Sequence, residues 1–196
     1  MMLGSPSIKN EPALWSKSQT EGYFAAAMVG VLAGIVVAYA QMPLHLPGHK
    51  ALWWIPPVLV ARLVTRRQLG ASIGATTTVL TTLSLGGRLA GGVVAMPLVI
   101  LAGVVLDVAA NKVERRPKAI LRAVLLLSTA GAAGNLICFI KRLLEPSGAF
   151  FSTDNLRDVS WAGTTHAVFG FAAGALGAIL AYAIMGLLTC WAYLSF

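Results

Sequence analysis

Seven side chains give this chain the means to recognise a solute: His45, His49, Trp53, Trp54, Arg88, Asn135 and His166. Four of them fall in one stretch, Gln41-Met42-Pro43-Leu44-His45-Leu46-Pro47-Gly48-His49-Lys50-Ala51-Leu52-Trp53-Trp54-Ile55-Pro56-Pro57. Indole faces stack on planar ligands, while imidazole and carboxamide groups donate or accept hydrogen bonds. Pro43, Pro47 and Gly48 give the stretch a set, non-helical path. The tryptophans also suit the aromatic belt of a membrane–water interface, but a belt has no need of histidines. His45 and His49 have the spacing of a helix-borne metal pair, yet Pro47-Gly48 between them forbids the helix. No cysteine or carboxylate completes a ligand set, so no metal is assigned. The seven side chains are read as one pocket for an organic ligand, mostly apolar with a few placed polar groups.

Catalytic chemistry is not indicated. There is no Gly-x-x-x-x-Gly-Lys-Ser/Thr loop to cradle a nucleotide and no His-Glu-x-x-His zinc motif. Asp107 is the single carboxylate inside an apolar segment, where a proton-driven pump carries more, and it is read as the ion-pair partner of Lys112 or Arg62. The chain is therefore expected to be no enzyme, to need no cofactor, and to leave ATP hydrolysis to other proteins.

The elements that must hold these residues are apolar. With 57% hydrophobic and 11% charged residues, the chain departs far from the roughly 25% charged residues of a soluble domain. Six apolar segments follow one another: 23–41, 51–64, 69–85, 89–110, 119–140 and 164–193. About 20 residues cross a bilayer as a helix. Segments 51–64 and 69–85 are short, and Lys50 and Arg66 are expected to reach for the headgroups. Segment 164–193 is long and predicts tilt or a protruding end. The fold class is an all-α integral membrane bundle of six transmembrane helices, with residues 1–22 as a cytoplasmic or interfacial tail and 23–196 as one membrane domain.

Charge fixes the expected orientation. Arg66 and Arg67 occupy the gap 65–68, and Lys112, Arg115, Arg116 and Lys118 the gap 111–118. The gap 141–163 sums to zero, and the remaining gaps are poor in net charge. Basic loops stay in the cytoplasm, so both termini are cytoplasmic and the His/Trp loop faces outward across the cell (inner) membrane. The net charge of +8 is then a topology signal, split between two loops and a tail, and no nucleic-acid partner is implied. Lys9, Lys17 and Ala38-Tyr39-Ala40 imitate a secretory signal with its cleavage site, but the polar lead is long for one. Cys138 and Cys190 belong to opposite ends of their spans, too far apart to bridge.

Small residues recur four apart: Ala26, Gly30 and Gly34; Gly70 and Gly74; Gly87 and Gly91; Gly170 and Gly174, continuing to Ala178. Such faces let helix backbones approach closely in lipid, within the bundle or against a partner. Six spans with both ends inside, no nucleotide site and a Gly/Ala face on the first helix resemble the substrate-binding (S) component of an energy-coupling factor transporter. The run Pro47-Gly48-His49-Lys50-Ala51-Leu52-Trp53-Trp54, the later Ala61-Arg62-Leu63 and a Thr- and Gly-rich third helix are similar to uncharacterised membrane proteins associated with that group. The resemblance implies a subunit that captures a vitamin or precursor from the outer face, under a cap formed by the first outer loop. Its implied partners are the small-molecule ligand, membrane lipid, a coupling transmembrane subunit and ATPase subunits. It also implies docking of the coupling subunit on Ala26, Gly30 and Gly34, where glycine departs from the family's alanines. The cobalt and nickel members resemble this chain less, since it begins Met1-Met2-Leu3-Gly4 and lacks their Met-x-His amine site. The alternative is a non-catalytic accessory subunit that scaffolds a larger membrane complex.

Overall fold

The computed structural model describes residues 19–39, 46–86, 96–114, 120–144 and 153–194. Among these, every regular element is helical: α1 (Gln19–Tyr39), α2 (Ala51–Thr65), α3 (Gly70–Ser84), α4 (Met96–Glu114), α5 (Ile120–Leu144) and α6 (Thr153–Leu194). Four stretches are long and apolar enough to cross a membrane: Thr20–Tyr39, Met96–Glu114, Ile120–Lys141 and Asp158–Ala192. They are studded on the outside with large apolar side chains, such as Leu121 and Trp191, at 72% and 71% exposure. Four such helices with so apolar an exterior mark a membrane protein.

The helices alternate in direction. Gly22 near the start of α1 lies against Arg67 in the turn between α2 and α3, and Gly30 and Gly34 follow in step against Gly74, Thr77, Thr78 and Thr81. Asp107 and Gly103 run backwards against Ser72 and Ala75, which sets α4 antiparallel to α3. Gly170 on Gly131 and Gly174 on Leu127 set α6 antiparallel to α5. The start of α1, the α2–α3 turn, the end of α4, the start of α5 and the end of α6 therefore share one end of the bundle.

Helix α2 is the central element, packed against α1, α3, α4 and α6. Trp54, Ile55, Val58, Leu59 and Leu63 are all buried in the core. At 15 residues each, α2 and α3 are about 22 Å long, shorter than a bilayer core. Helix α6 begins eleven residues before the apolar segment, at Thr153 instead of 164, because a polar helical turn costs nothing outside hydrocarbon. Its buried positions end at Ala181, and Gly186 has nothing near it, so the final turns project beyond the packed part of the bundle.

Among the described residues the small-residue faces are used inside the chain; Gly87 and Gly91 lie outside them. The face of Ala26, Gly30 and Gly34, expected to dock a coupling subunit, is instead covered by α3. Ala26 is fully buried, and a Cβ on Gly30 would collide with the Thr77 hydroxyl and the Gly74 backbone. Contact this close lets Thr78 Oγ1 donate to the Gly30 carbonyl at 3.0 Å and Thr82 Oγ1 to the Gly34 carbonyl at 3.1 Å. Each hydroxyl also reaches the carbonyl four residues back in its own helix, so the polar groups of a threonine-rich helix are satisfied within protein.

Gly30→Leu should therefore lower the melting temperature of the detergent-purified chain, since overpacking a close helix contact costs about 1–3 kcal/mol. Gly186→Leu, placed in open space, should leave it unchanged.

Candidate functional site

Two polar clusters sit at opposite ends of the bundle. The first is built on Arg62, which is wholly buried. Its Nη1 donates to Glu114 Oε1 at 2.7 Å, and its Nη2 to Glu114 Oε2 at 3.1 Å and to Asn111 Oδ1 at 2.5 Å. Its Nε lies 3.1 Å from Asp107 Oδ1, a charge contact without the alignment of a hydrogen bond. The expected pairing of Asp107 is thus with Arg62. Asp107 has a second task. Leu69 occupies the N-cap of α3 and has no acceptor to offer. Asp107 supplies it from α4, accepting from the Ala71 N–H at 2.9 Å, the Ser72 N–H at 2.8 Å and Ser72 Oγ at 2.6 Å. One carboxylate neutralises a buried cation and caps a neighbouring helix.

One catalytic spacing, wrongly taken to be absent from the sequence, occurs here. Gly70-Ala71-Ser72-Ile73-Gly74 has the Gly-x-Ser-x-Gly form of a nucleophile elbow. Its context is different: it opens a helix after a helical turn, and Ser72 Oγ donates directly to Asp107. Both described histidines, His49 and His166, lie toward the opposite end. Ser72 is bonded to a carboxylate with no imidazole between them, unlike the serine of a hydrolase triad. The cluster ties helices together.

The second cluster joins the loop before α2 to α5 and α6. Pro47-Gly48 turns the chain, with Gly48 at φ +80°, a conformation that disfavours any side chain. A Cβ there would also lie 2.7 Å from the His166 Cα and 3.0 Å from Asn135 Nδ2. Through this gap the Asn135 carboxamide donates to the Gly48 carbonyl at 3.1 Å and to the His166 carbonyl at 2.8 Å. Both partners are acceptors only, which fixes the orientation of the amide. His166 Nδ1 donates to the Ala162 carbonyl at 2.7 Å, and its ring leans on Phe139 with centroids 5.1 Å apart. His49 Nδ1 donates to the Leu46 carbonyl. In each imidazole Nδ1, facing a carbonyl oxygen, carries a proton.

Of the seven residues expected to form a pocket, Asn135, His166 and His49 come together around Gly48, with half-buried Trp53 in the first turn of α2. Trp54 does not join them. It is 2% exposed and belongs to the core, because a step of one residue turns it about 100° round α2 from half-buried Trp53. His45 and Arg88 lie outside the described residues. Gly48, read from sequence only as setting the path of the loop, is a participant in its own right through its carbonyl. Phe139 was not singled out from sequence; its place four residues after Asn135 on α5 was the available signal. Among the described residues no three His, Cys, Asp or Glu side chains group as metal ligands. No family model, curated protein or solved structure matches the chain.

Arg62→Leu should destabilise the purified protein by about 3–5 kcal/mol, the usual cost of stranding one member of a buried pair, and Asp107→Leu by about 1–2 kcal/mol through loss of the α3 cap, since Glu114 and Asn111 still hold Arg62. The double substitution should cost less than the sum, read from thermal unfolding of the four proteins, since it removes the carboxylate that Arg62→Leu alone strands.

Proposed function

We propose that this chain is the substrate-binding subunit of an importer driven by ATP hydrolysis in separate subunits, and that it captures a small organic solute at the Asn135 end of its bundle. The observation that carries this reading is the double hydrogen bond of Asn135, which pins the loop 46–50 across α5 and α6 through two backbone carbonyls. A single carboxamide holding a glycine turn is a fastening that a ligand's own polar atoms can replace. Imidazole and aromatic rings at His49, Trp53, Phe139 and His166 stand at the same end for a planar or heteroaromatic solute. As in the family the chain resembles, reorientation and release depend on ATPase subunits acting through a coupling transmembrane subunit. That subunit meets a lipid-facing surface, since Ala26, Gly30 and Gly34 are covered by α3.

In this reading all six helices cross the cell membrane. The short α2 and α3 do so inside a shell of longer helices, with Lys50 and Arg66 reaching the headgroups. Both termini are cytoplasmic, as the basic residues at the α2–α3 turn and at the end of α4 require. A second reading, a scaffold subunit of a larger membrane complex, is favoured by one observation: the last turns of α6 carry large exposed apolar side chains, Leu187 at 71% exposure, and Gly186 beside it faces open space.

Orientation is checked on a background lacking Cys138 and Cys190. Cysteine at exposed Ser84 should react with an impermeant thiol reagent in intact cells, and cysteine at exposed Gln68 should be shielded. The reverse pattern would turn the Asn135 end to the cytoplasm and remove the importer reading.

Function is checked by mass spectrometry of small molecules carried through gentle purification, followed by titration of the compound found. Asn135→Ala should weaken its binding by about 5- to 150-fold, the worth of a buried hydrogen bond, with Trp53→Ala also weaker and Trp53→Phe less so. A chain that carries no small molecule, and whose variants alter only its association with other membrane subunits, would establish the scaffold reading instead.

A further inference from the structure

A groove of about 640 Å³ opens between the end of α4 and the start of α5, lined by Lys112, Val113, Arg122, Ala123, Leu125, Leu126 and Thr129. It lies at the opposite end of the bundle from Asn135, and none of the residues of the proposed solute site contributes to it. Its composition is graded along the helix axis. Lys112 stands in the last turn of α4 and Arg122 in the first turn of α5, both exposed. Among the described residues no carboxylate lines the groove. The nearest acid on α4, Glu114, is committed to Arg62. Below the two cations the walls turn apolar, and Thr129, seven residues beyond Arg122, marks a depth of about 10 Å. Its hydroxyl is satisfied by the Leu125 carbonyl, so the deep part of the groove asks for no polar partner.

Two cations at the ends of membrane-spanning helices, above an apolar channel that descends along α5, match a molecule with an anionic head and hydrocarbon chains. We infer that this groove is a binding site for an anionic phospholipid, its phosphate between Lys112 and Arg122 and the start of an acyl chain along Ala123, Leu126 and Thr129. A free inorganic or sugar phosphate would satisfy the cations and leave the apolar channel empty. A zwitterionic lipid would fill the channel and set a positive choline against two like charges. The anionic lipid satisfies both parts. The inference is independent of the solute reading, since it needs neither Asn135 nor the orientation of the bundle.

The test is native mass spectrometry of the full chain released from detergent micelles, titrated with phosphatidylglycerol or with phosphatidylcholine of the same acyl chains. The wild type should retain phosphatidylglycerol in preference. Lys112→Gln with Arg122→Gln should weaken phosphatidylglycerol on the order of 10- to 30-fold and abolish the preference. Leu126→Trp, which fills the channel, should weaken it with both cations intact. Glycerol 3-phosphate at millimolar concentration should not displace the lipid. Equal retention of the two lipids by the wild type, an unchanged preference in the double variant, or displacement by glycerol 3-phosphate would each overturn the site. Both basic side chains are exposed, so the double variant should keep the wild-type melting temperature in lipid-free detergent; if it melts lower, the comparison is made with Arg122→Gln alone.

Discussion

A guanidinium with no route to water dictates how this bundle is assembled. Arg62 sits on the central helix with none of its surface exposed, where an unpaired charge would be prohibitive. It is held by Asp107, Asn111 and Glu114, all from α4. The same Asp107 supplies the acceptors that the first turn of α3 lacks. Three helix ends, those of α2, α3 and α4, are thereby tied at one level. Farther along α3, Thr78 and Thr82 fall opposite the carbonyls of Gly30 and Gly34 of α1, and the threonine hydroxyls find partners inside the protein.

The two ends of the bundle are built to different standards. One is locked by buried charge, a bidentate guanidinium–carboxylate contact and a helix cap borrowed from another helix. The other is closed by a turn with one positive-φ glycine and by the two N–H groups of one carboxamide. Charge-assisted contacts of the first kind hold more strongly than neutral bonds to carbonyls. The asymmetry supports a function at the Asn135 end, where a small rearrangement frees a loop without disturbing the core. It also leaves the lipid-facing surface of the charged end as a place where the membrane itself is recognised.

Much of this was legible in the residues. Hydropathy alone marked the apolar helices, and the described basic residues of the two gaps, Arg66 and Arg67 at the α2–α3 turn and Lys112 at the end of α4, do fall at one end of the bundle. The pairing of Asp107 with Arg62 could be read because few charges occur in apolar segments. Other features could not be read, for physical reasons. A Gly/Ala face looks the same whether it meets a partner subunit or a threonine-rich neighbour, and only the contact with Thr77 and Gly74 decides for Ala26, Gly30 and Gly34. Adjacent tryptophans look alike in sequence, yet helical rotation buries Trp54 and leaves Trp53 near the surface. The cap that Asp107 gives to α3 spans 36 residues and leaves no local mark. The start of α6 was missed because its first turns are polar, which a helix beyond the hydrocarbon allows.

The central claim is that the charged end is fixed while the Asn135 end holds a releasable cap. Backbone hydrogen–deuterium exchange, compared between the wild type and Asn135→Ala in the same detergent, tests it most directly. The account predicts slow exchange at residues 66–72 in both proteins, and faster exchange at 46–53 that accelerates further in the variant. Equal protection at the two ends, with no response of 46–53 to the loss of the carboxamide, would contradict it.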